Sequence, residues 1–169
     1  MVYLREIRED DLHGLYESCQ DPTILHLTGT QRTFTMQEVQ QAYTQFDMDT
    51  SRRDFAICHE TDGQLIGDVA IMDIDETNQS AHLRISLHHE KWFGKGYGTK
   101  AVQLVQAVVF QELQLNRLEL EVFSHNERAI RAYEKAGFTR EGTRRQALNL
   151  NNTYYDQHLM SMLAEEYAT

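Results

Sequence analysis

The chain has 169 residues, of which 41% are hydrophobic and 25% charged, and these proportions are ordinary for a soluble globular protein. The 26 acidic residues outnumber the 16 lysines and arginines, and the resulting net charge of −10 argues against general nucleic-acid binding. No apolar stretch approaches the roughly 18 residues of a membrane span, the N-terminus is too polar for a signal peptide, and the two isolated cysteines make no metal site. We therefore expect one cytoplasmic domain over residues 1–169, without a metal and without nucleic-acid or membrane partners.

The first part of the chain predicts one strand and two helices. Residues 2–7 alternate between apolar and polar side chains and predict a short strand. The next apolar residues have helical spacing, and Pro22 is expected to end that helix. Thr35 and Glu38 have the spacing of a capping box and open a second helix. Residues 47–51 are polar and predict a loop.

Three strands are predicted next, at residues 55–58, 65–74 and 81–87. Polar turn sequences at 61–64 and 76–79 join them. Short connections of this kind favour an antiparallel meander.

A glycine-rich corner follows the third strand. Three of the nine glycines lie within residues 94–98, and residues 98–113 then have the apolar spacing of a helix. Free N–H groups at the start of a helix, with no side chains in the way, can bind an anion. Residues 91–100 also contain three lysines and no acid, although the chain as a whole is acidic. This corner is therefore predicted to hold a phosphate group.

Four interpretations of the corner can be compared. A Walker loop is excluded because its Gly-x-x-x-x-Gly-Lys-Ser/Thr pattern is absent. A dinucleotide fingerprint is disfavoured because the third glycine comes one residue too soon, although two glutamates lie about 20 residues further on. A tight turn without a ligand is the simplest alternative. The sequence from Gly94 to Thr99, however, resembles the acetyl-CoA motif of the GNAT acetyltransferases, with Phe93 where that motif usually has Gln or Arg.

The remaining elements complete an α+β pattern. The sequence predicts a strand at 117–123 and then a helix that begins at Asn126 and is capped by Gly137. Two further strands are predicted at 139–148 and 155–162. The strand–helix–strand order makes the strands on either side of the corner helix candidates for parallel neighbours. We predict one central, mostly antiparallel mixed sheet.

A second motif supports the same family. Residues 126–138 closely resemble the Asn-x-x-Ala-x-x-x-Tyr-x-x-x-Gly-Phe helix of GNAT enzymes, in the right order and about 30 residues after the first motif. Residues 152–160 resemble the branch that contains ribosomal-protein N-terminal and spermidine acetyltransferases. The resemblance implies the GNAT fold, in which the mixed sheet splays between two parallel strands and helices cover both faces.

The resemblance also implies a chemistry. An acetyl group would pass directly from acetyl-CoA to an amine in a ternary complex, without a metal. Tyr133 would be the general acid, although its position on an apolar helix face is equally typical of a core residue. His82 and His88 are candidates for removing the amine proton through water, or are simply half-exposed strand residues. The residues expected to bind the cofactor are Ser86, Leu87, His88, Phe93, Gly94, Lys95, Gly96, Tyr97, Gly98, Thr99, Lys100, Asn126, Ala129 and Tyr133.

The acceptor is predicted to be a polyamine or a similar small cation, because acids cluster in the helix–loop–helix segment that covers the acceptor side in such folds. The candidate acids of the sequence are Asp10, Asp11, Asp47, Asp49, Asp73, Asp75 and Glu76, although each of them could equally be a solvated surface residue. Two alternatives stay open at this point. The acceptor could be the terminal α-amine of a protein, or the chain could be an acyl-CoA-binding module without catalysis. The sequence also leaves a homo-oligomer open.

Overall fold

The computed structural model describes residues 1–168 and contains a seven-stranded mixed sheet with the order β1-β2-β3-β4-β5-β7-β6. The strands are β1 Val2–Glu6, β2 Arg53–His59, β3 Leu65–Asp75, β4 Ser80–Leu87, β5 Arg117–Phe123, β6 Thr139–Leu150 and β7 Thr153–Leu163. The helices are α1 Leu12–Ser18, α2 Pro22–Thr28, α3 Met36–Met48, α4 Tyr97–Ala107, α5 Glu127–Lys135 and α6 Ala164–Tyr167.

The sheet changes direction at its centre. Strands β1 to β4 pair antiparallel, as the predicted meander requires, and β5, β7 and β6 form a second antiparallel group. Between the two groups, β4 and β5 run parallel and pair only from Ser80 opposite Arg117 to His82 opposite Glu119. Both strands continue beyond these three pairs, so they diverge. The predicted α+β class and the splayed sheet are confirmed.

The two faces of the sheet differ in character. On one face, Leu83 and Leu87 of β4 pack with Val102 and Val105 of α4 in a buried apolar core. On the other face, which α1 and α3 cover, the side chains of Asp68 and Arg84 line a cavity instead. The alternation of side chains along each strand explains the division, because successive residues point to opposite faces.

Helix α2 was not expected from the sequence. Pro22 does not merely end the preceding helix but occupies the first turn of the next one, where its missing N–H costs nothing. The Asp21 carboxylate caps this helix by accepting from the N–H groups of Thr23 and Ile24 at 2.9 and 3.1 Å. Pro22 therefore marks the beginning of α2 and not only the end of the helix before it.

Other boundaries differ by a few residues. Helix α3 opens with the predicted capping box and runs to Met48, so the predicted loop at 47–51 is wrong at its first two positions. Helix α4 begins one residue earlier than predicted and ends in a π-helical turn, Val108–Glu112. The final hairpin is longer than predicted, and its turn lies at Asn151 and Asn152, as expected, with φ of 49° and 65°.

Two findings bear on membranes and metals. No helix within residues 1–168 is long and apolar enough to cross a membrane. In the same residues, no group of three or more His, Cys, Asp or Glu side chains is arranged to hold a metal ion.

Candidate active site

The candidate site is the cleft that opens where β4 and β5 diverge. Its walls come from four elements, so residues far apart in the sequence meet there. Helix α2 forms one wall, with Ile24, Leu27 and Thr28, and α4 forms another, with Gly98 and Val102. Strand β4 contributes Ile85, Ser86 and Leu87. Helix α5 and the residue before it contribute Asn126, Arg128, Ala129, Ala132 and Tyr133. The cleft is small, about 50 Å³ in volume. A thin, mostly apolar chain fits such a cleft better than a bulky group.

The glycine corner lies at the mouth of this cleft. Gly94 and Gly96 have φ of 69° and 81°, in the left-handed region that favours glycine. A Cβ atom at either position would meet no protein atom within 4 Å. Tight packing therefore does not explain why these residues are glycines. The approach of a bound group to the bare backbone explains it.

Helix α4 begins directly after Gly96 and has no side-chain cap. Lys100 N–H is the first to donate within the helix, to the carbonyl of Gly96 at 3.0 Å, which leaves the N–H groups of Tyr97, Gly98 and Thr99 without an intrahelical acceptor. Donors of this kind, together with the positive end of the helix, suit a diphosphate. The predicted anion site is thus geometrically available.

Aromatic side chains fix the shape of the corner. Tyr97 shares a 3.0 Å hydrogen bond with His59 across the sheet, and the ring of Trp92 stacks on His59 at 6.2 Å. The Lys95 ammonium lies 5.7 Å from the centre of the Trp92 ring. Trp92 therefore packs the corner, whereas Phe93 faces the cleft.

Helix α5 lies along the cleft through one stripe of side chains. Ala129 and Tyr133 are four residues apart on the same face and both line the cleft, as the helical spacing predicts. Gly137, with φ of 97°, ends the helix, and Phe138 N–H donates back to the Tyr133 carbonyl at 3.0 Å. The cap holds the last turn, and so the tyrosine, in place.

Two buried polar atoms at the start of α5 have no partner. Asn126 Oδ1 and His125 Nδ1 are both shielded from solvent and unbonded within residues 1–168. The other ring nitrogen of His125, Nε2, donates to the carbonyl of His26 at 2.7 Å and so ties α2 to α5. Buried acceptors are normally hydrogen-bonded, so Asn126 is suited to receive an amide N–H from a molecule in the cleft.

The Tyr133 side chain is only 7% exposed, and burial raises the pKa of its phenol to about 12, although the charge of Arg128 acts in the opposite direction. At neutral pH the hydroxyl is therefore protonated and can donate a hydrogen bond.

Strand β4 offers backbone groups to the cleft. His88 N–H donates to the Ile66 carbonyl at 2.8 Å, and a Cβ on Gly67 would lie 2.6 Å from the Ser86 carbonyl, so both residues direct backbone groups towards β3. Because these directions alternate along a strand, the N–H and C=O of Leu87 point into the gap. Of the three consecutive residues predicted to bind the cofactor here, Ser86, Leu87 and His88, Leu87 has its backbone amide free for this purpose.

The two candidate histidines have different surroundings. His82 lies at the last paired position of β4 and β5, with Nδ1 3.7 Å from the Glu119 carboxylate. His88 is 9% exposed in its side chain, and its Nε2 donates to Asp68 Oδ1 at 2.6 Å. Burial raises the pKa of Asp68, but the hydrogen bond and charge of His88, together with the charges of Arg84 and Arg52, lower it by more. The net pKa is below its ordinary value, so the carboxylate is ionised at neutral pH.

A second and larger cavity, of about 440 Å³, lies between α1, α3 and the sheet. Arg84 lines this cavity and Ser86 lines the cleft, and the two are successive residues on one face of β4, so the two spaces adjoin. Apolar and aromatic side chains, including Phe34, Tyr43 and Phe46, provide contact for a hydrocarbon chain. The cavity also has five carboxylates and three guanidinium groups: Glu6, Glu38, Asp47, Asp54 and Asp68 against Arg52, Arg53 and Arg84.

The net negative charge of the cavity is not cancelled within it. Arg52 and Asp54 form a two-point ion pair at 2.7 and 2.8 Å, whereas Arg53 is paired with Glu112 outside the cavity. Glu6 and Asp47 have no ion-pair partner among residues 1–168. A cation is thus the complementary occupant.

Of the acids considered in the sequence, only Asp47 lines this cavity. Asp11 is held by Arg5, Asp49 accepts from Ser51, and Asp75 accepts from Asn78. The acids that line the cavity come from three different strands and from α3. They are far apart in the sequence, so a search for clustered acids does not find them. Arg128 was also missed, because an arginine on a helix surface is ordinary in sequence.

Comparisons with known proteins agree with this geometry. Residues 2–139 match the family model described as the acetyltransferase (GNAT) domain. The chain is 28% identical over 166 residues to the spermidine N(1)-acetyltransferase of Escherichia coli (strain K12), which covers 98% of this chain and 88% of the relative. It superposes with a TM-score of 0.91 and 24% identity on a spermidine N-acetyltransferase from Vibrio cholerae solved with CoA and spermine, covering 99% and 98% of the two chains. A dodecameric structure of the Vibrio cholerae enzyme superposes with a TM-score of 0.83 at 23% identity, over 98% of this chain and 95% of that one.

Proposed function

Because the chain belongs to the GNAT acetyltransferase family, we propose that it transfers the acetyl group of acetyl-CoA to a primary amine of a polyamine or a similar small cation. The proposal rests on one observation: a narrow cleft with the features of an acyl-CoA site adjoins a larger cavity whose carboxylates outnumber its guanidinium groups. The similarity to spermidine acetyltransferases over 98% of the chain supports the same acceptor class.

The described residues fit acetyl-CoA along the whole cleft. The backbone of residues 94–99, with Lys95 and Lys100, would hold the diphosphate, and Asn126 Oδ1 and the Leu87 carbonyl would accept from the amide N–H groups of the pantetheine arm. Acetyl-CoA supplies an activated thioester. The Leu87 N–H, directed into the gap, is placed to stabilise negative charge on the carbonyl oxygen during attack, worth a few kcal/mol.

An alkylammonium with a pKa of about 10 must lose a proton before it can attack. In our proposal the ammonium is held by Asp68 and passes its proton through water to His88. The Nε2–H of His88 is engaged by Asp68, and Nδ1 has no partner among residues 1–168, so Nδ1 is the atom that can accept. The ionised Asp68 would then stabilise the imidazolium that forms.

A screen of acceptors tests the function directly. Thiol release from acetyl-CoA should be rapid with spermidine and spermine, slower with aminoglycosides, and near background with amino acids and short peptides. If peptides with a free α-amine were the best acceptors, the chain would be a protein N-terminal acetyltransferase. Tight CoA binding without turnover on any amine would identify a non-catalytic module.

Asp68→Asn tests the charge of the acceptor cavity. The asparagine can still accept the hydrogen bond from His88, so mainly the negative charge is lost. We expect kcat/KM for spermidine to fall about tenfold, equivalent to ~1.4 kcal/mol, and KM for acetyl-CoA to stay unchanged. The difference from the wild type should shrink as salt is added, because screening weakens the same interaction.

The matched control is Asp10→Asn, the same change at an exposed position outside the cavity. If both variants lowered kcat/KM equally, the effect would come from the overall charge of the protein and not from this carboxylate. The oligomeric state of the chain stays a prediction, since the dodecamer belongs to the Vibrio cholerae protein.

A further inference from the structure

Arg128, in the wall of the cleft, has surroundings that disfavour its positive charge. It is half-buried, and burial together with the like charge of Arg131 lowers the pKa of its guanidinium, against a smaller opposing effect of Tyr133. Within residues 1–168 it has no hydrogen bond and no ion pair, whereas its neighbour Arg131 is paired with Glu127 at 3.8 Å. It also lies in the first turn of α5, where the helix dipole disfavours a positive charge.

The side chain is nevertheless held in a defined place. Its guanidinium carbon lies 3.6 Å from the centre of the Phe93 ring, a stacking contact that fixes the plane of the group. Such a contact is weak and does not replace a counter-ion for a desolvated charge. An arginine with these surroundings is arranged for an anion that arrives with the substrate.

The proposed reaction produces such an anion when coenzyme A leaves. When the amine nitrogen bonds to the acetyl carbon, the carbon–sulfur bond breaks and its electron pair stays on sulfur. The ordinary pKa of a cysteine thiol is about 8.5, roughly 3.5 units below that of the buried Tyr133. A full proton transfer from this phenol to the sulfur is therefore unfavourable, and the tyrosine is suited to donating a hydrogen bond to it.

We propose that Arg128 provides the positive charge that stabilises the leaving thiolate of coenzyme A, with Tyr133 as its hydrogen-bond donor. Four residues of α5 line the same cleft, namely Arg128, Ala129, Ala132 and Tyr133. The charge of Arg128 is also close enough to act on the Tyr133 phenol. In the proposed complex the diphosphate is bound by other groups, namely the backbone of the glycine corner with Lys95 and Lys100. This inference rests on the proposed function but concerns the departing sulfur and not the acceptor.

The thiol of bound coenzyme A reports this interaction without any turnover. The titration of that thiol, followed by the ultraviolet absorbance of the thiolate with desulfo-coenzyme A as the blank, should give a pKa about one unit below that of the free cofactor. In Arg128→Gln the value should return to that of free coenzyme A, and kcat should fall about tenfold. Arg128→Lys, which keeps the charge but loses the planar stack, should give an intermediate thiol pKa.

Arg131→Gln is the matched control, since it removes the same charge from an exposed position on the same helix. It should leave the thiol pKa and kcat unchanged, and thermal unfolding should confirm that all variants are folded. The proposal is overturned if Arg128→Gln leaves the thiol pKa of the bound cofactor at the wild-type value. It is also overturned if the variant weakens coenzyme A and desulfo-coenzyme A equally, because the arginine would then serve the phosphates. Failure of the wild type to bind coenzyme A at all would refute the proposed function as well.

Discussion

Tyr133→Phe should lower kcat for spermidine acetylation by about two to three powers of ten while the dissociation constant of acetyl-CoA changes less than about twofold. The variant removes one oxygen atom and keeps the ring, which packs beside Phe138 with ring centres 6.1 Å apart. The hydroxyl is in the cleft wall and almost fully shielded from water, so no solvent molecule readily replaces it as a donor to the departing sulfur. Steady-state kinetics and calorimetric binding separate the two constants.

Tyr167→Phe is a suitable control because that ring stacks on Phe110, at 5.1 Å between centres, outside the residues that line the cleft and the cavity. It should behave as the wild type does in both measurements. Unchanged turnover in Tyr133→Phe would show that the buried tyrosine is simply a core residue. The pKa of about 12 makes a further point: deprotonation of this phenol should not limit the rate at any pH below about 11.

The hydrogen-bond donor to the departing sulfur and the base are expected to lie on different elements. Tyr133 is on α5, and the Asp68–His88 pair spans β3 and β4, with Ser86, directly opposite Asp68 in the register, lining the cleft between them. Burial affects the two groups differently: it keeps the phenol neutral, whereas the imidazole and the arginines hold the carboxylate ionised. Both groups are therefore in the protonation state that their proposed roles require.

Local features of the site could be predicted from the sequence. The glycine corner and the Asn126 helix are short segments whose conformations depend on their own residues: left-handed φ angles at Gly94 and Gly96, and a glycine cap at Gly137. The alternation of residues along β4 likewise indicates which side faces the core, since Leu83 and Leu87 share one face of the strand and are both buried. These signals depend on neighbours along the chain, and a single sequence contains them in full.

Features that depend on distant contacts could not be predicted. Asp68 and His88 are 20 residues apart, and only the register of β3 and β4 brings them to 2.6 Å. Arg128 is distinguished by its lack of a partner, which is a property of its surroundings and not of its position in a helix. The same reason limited the prediction of acceptor-binding acids: Asp11 and Asp49 are already bonded within the fold, and of the predicted acids Asp47 alone lines the cavity.

Gly96→Ala should raise the KM for acetyl-CoA about a hundredfold, with a smaller effect on the KM for spermidine. The residue before α4 has φ of 81°, and an L-side chain there costs about 1 to 2 kcal/mol. Its Cβ would meet no protein atom, so the new methyl group would point into the space where the diphosphate approaches the N–H groups of Tyr97 and Gly98. Relief of the strain would turn those donors away from the ligand, and failure to relieve it would leave the methyl group in the way.

A second glycine in the chain separates these effects from simple instability. Gly63 lies in the β2–β3 hairpin with φ of 70°, and a Cβ there would make only an ordinary contact, 3.6 Å from the Tyr3 hydroxyl. Gly63→Ala should therefore lose a similar amount of stability in thermal unfolding and keep the wild-type KM for acetyl-CoA. If both variants raised that KM alike, the bare backbone at residue 96 would have no special part in cofactor binding. If only Gly96→Ala does so, the conformation of this one residue links the glycine-rich sequence to the recognition of coenzyme A.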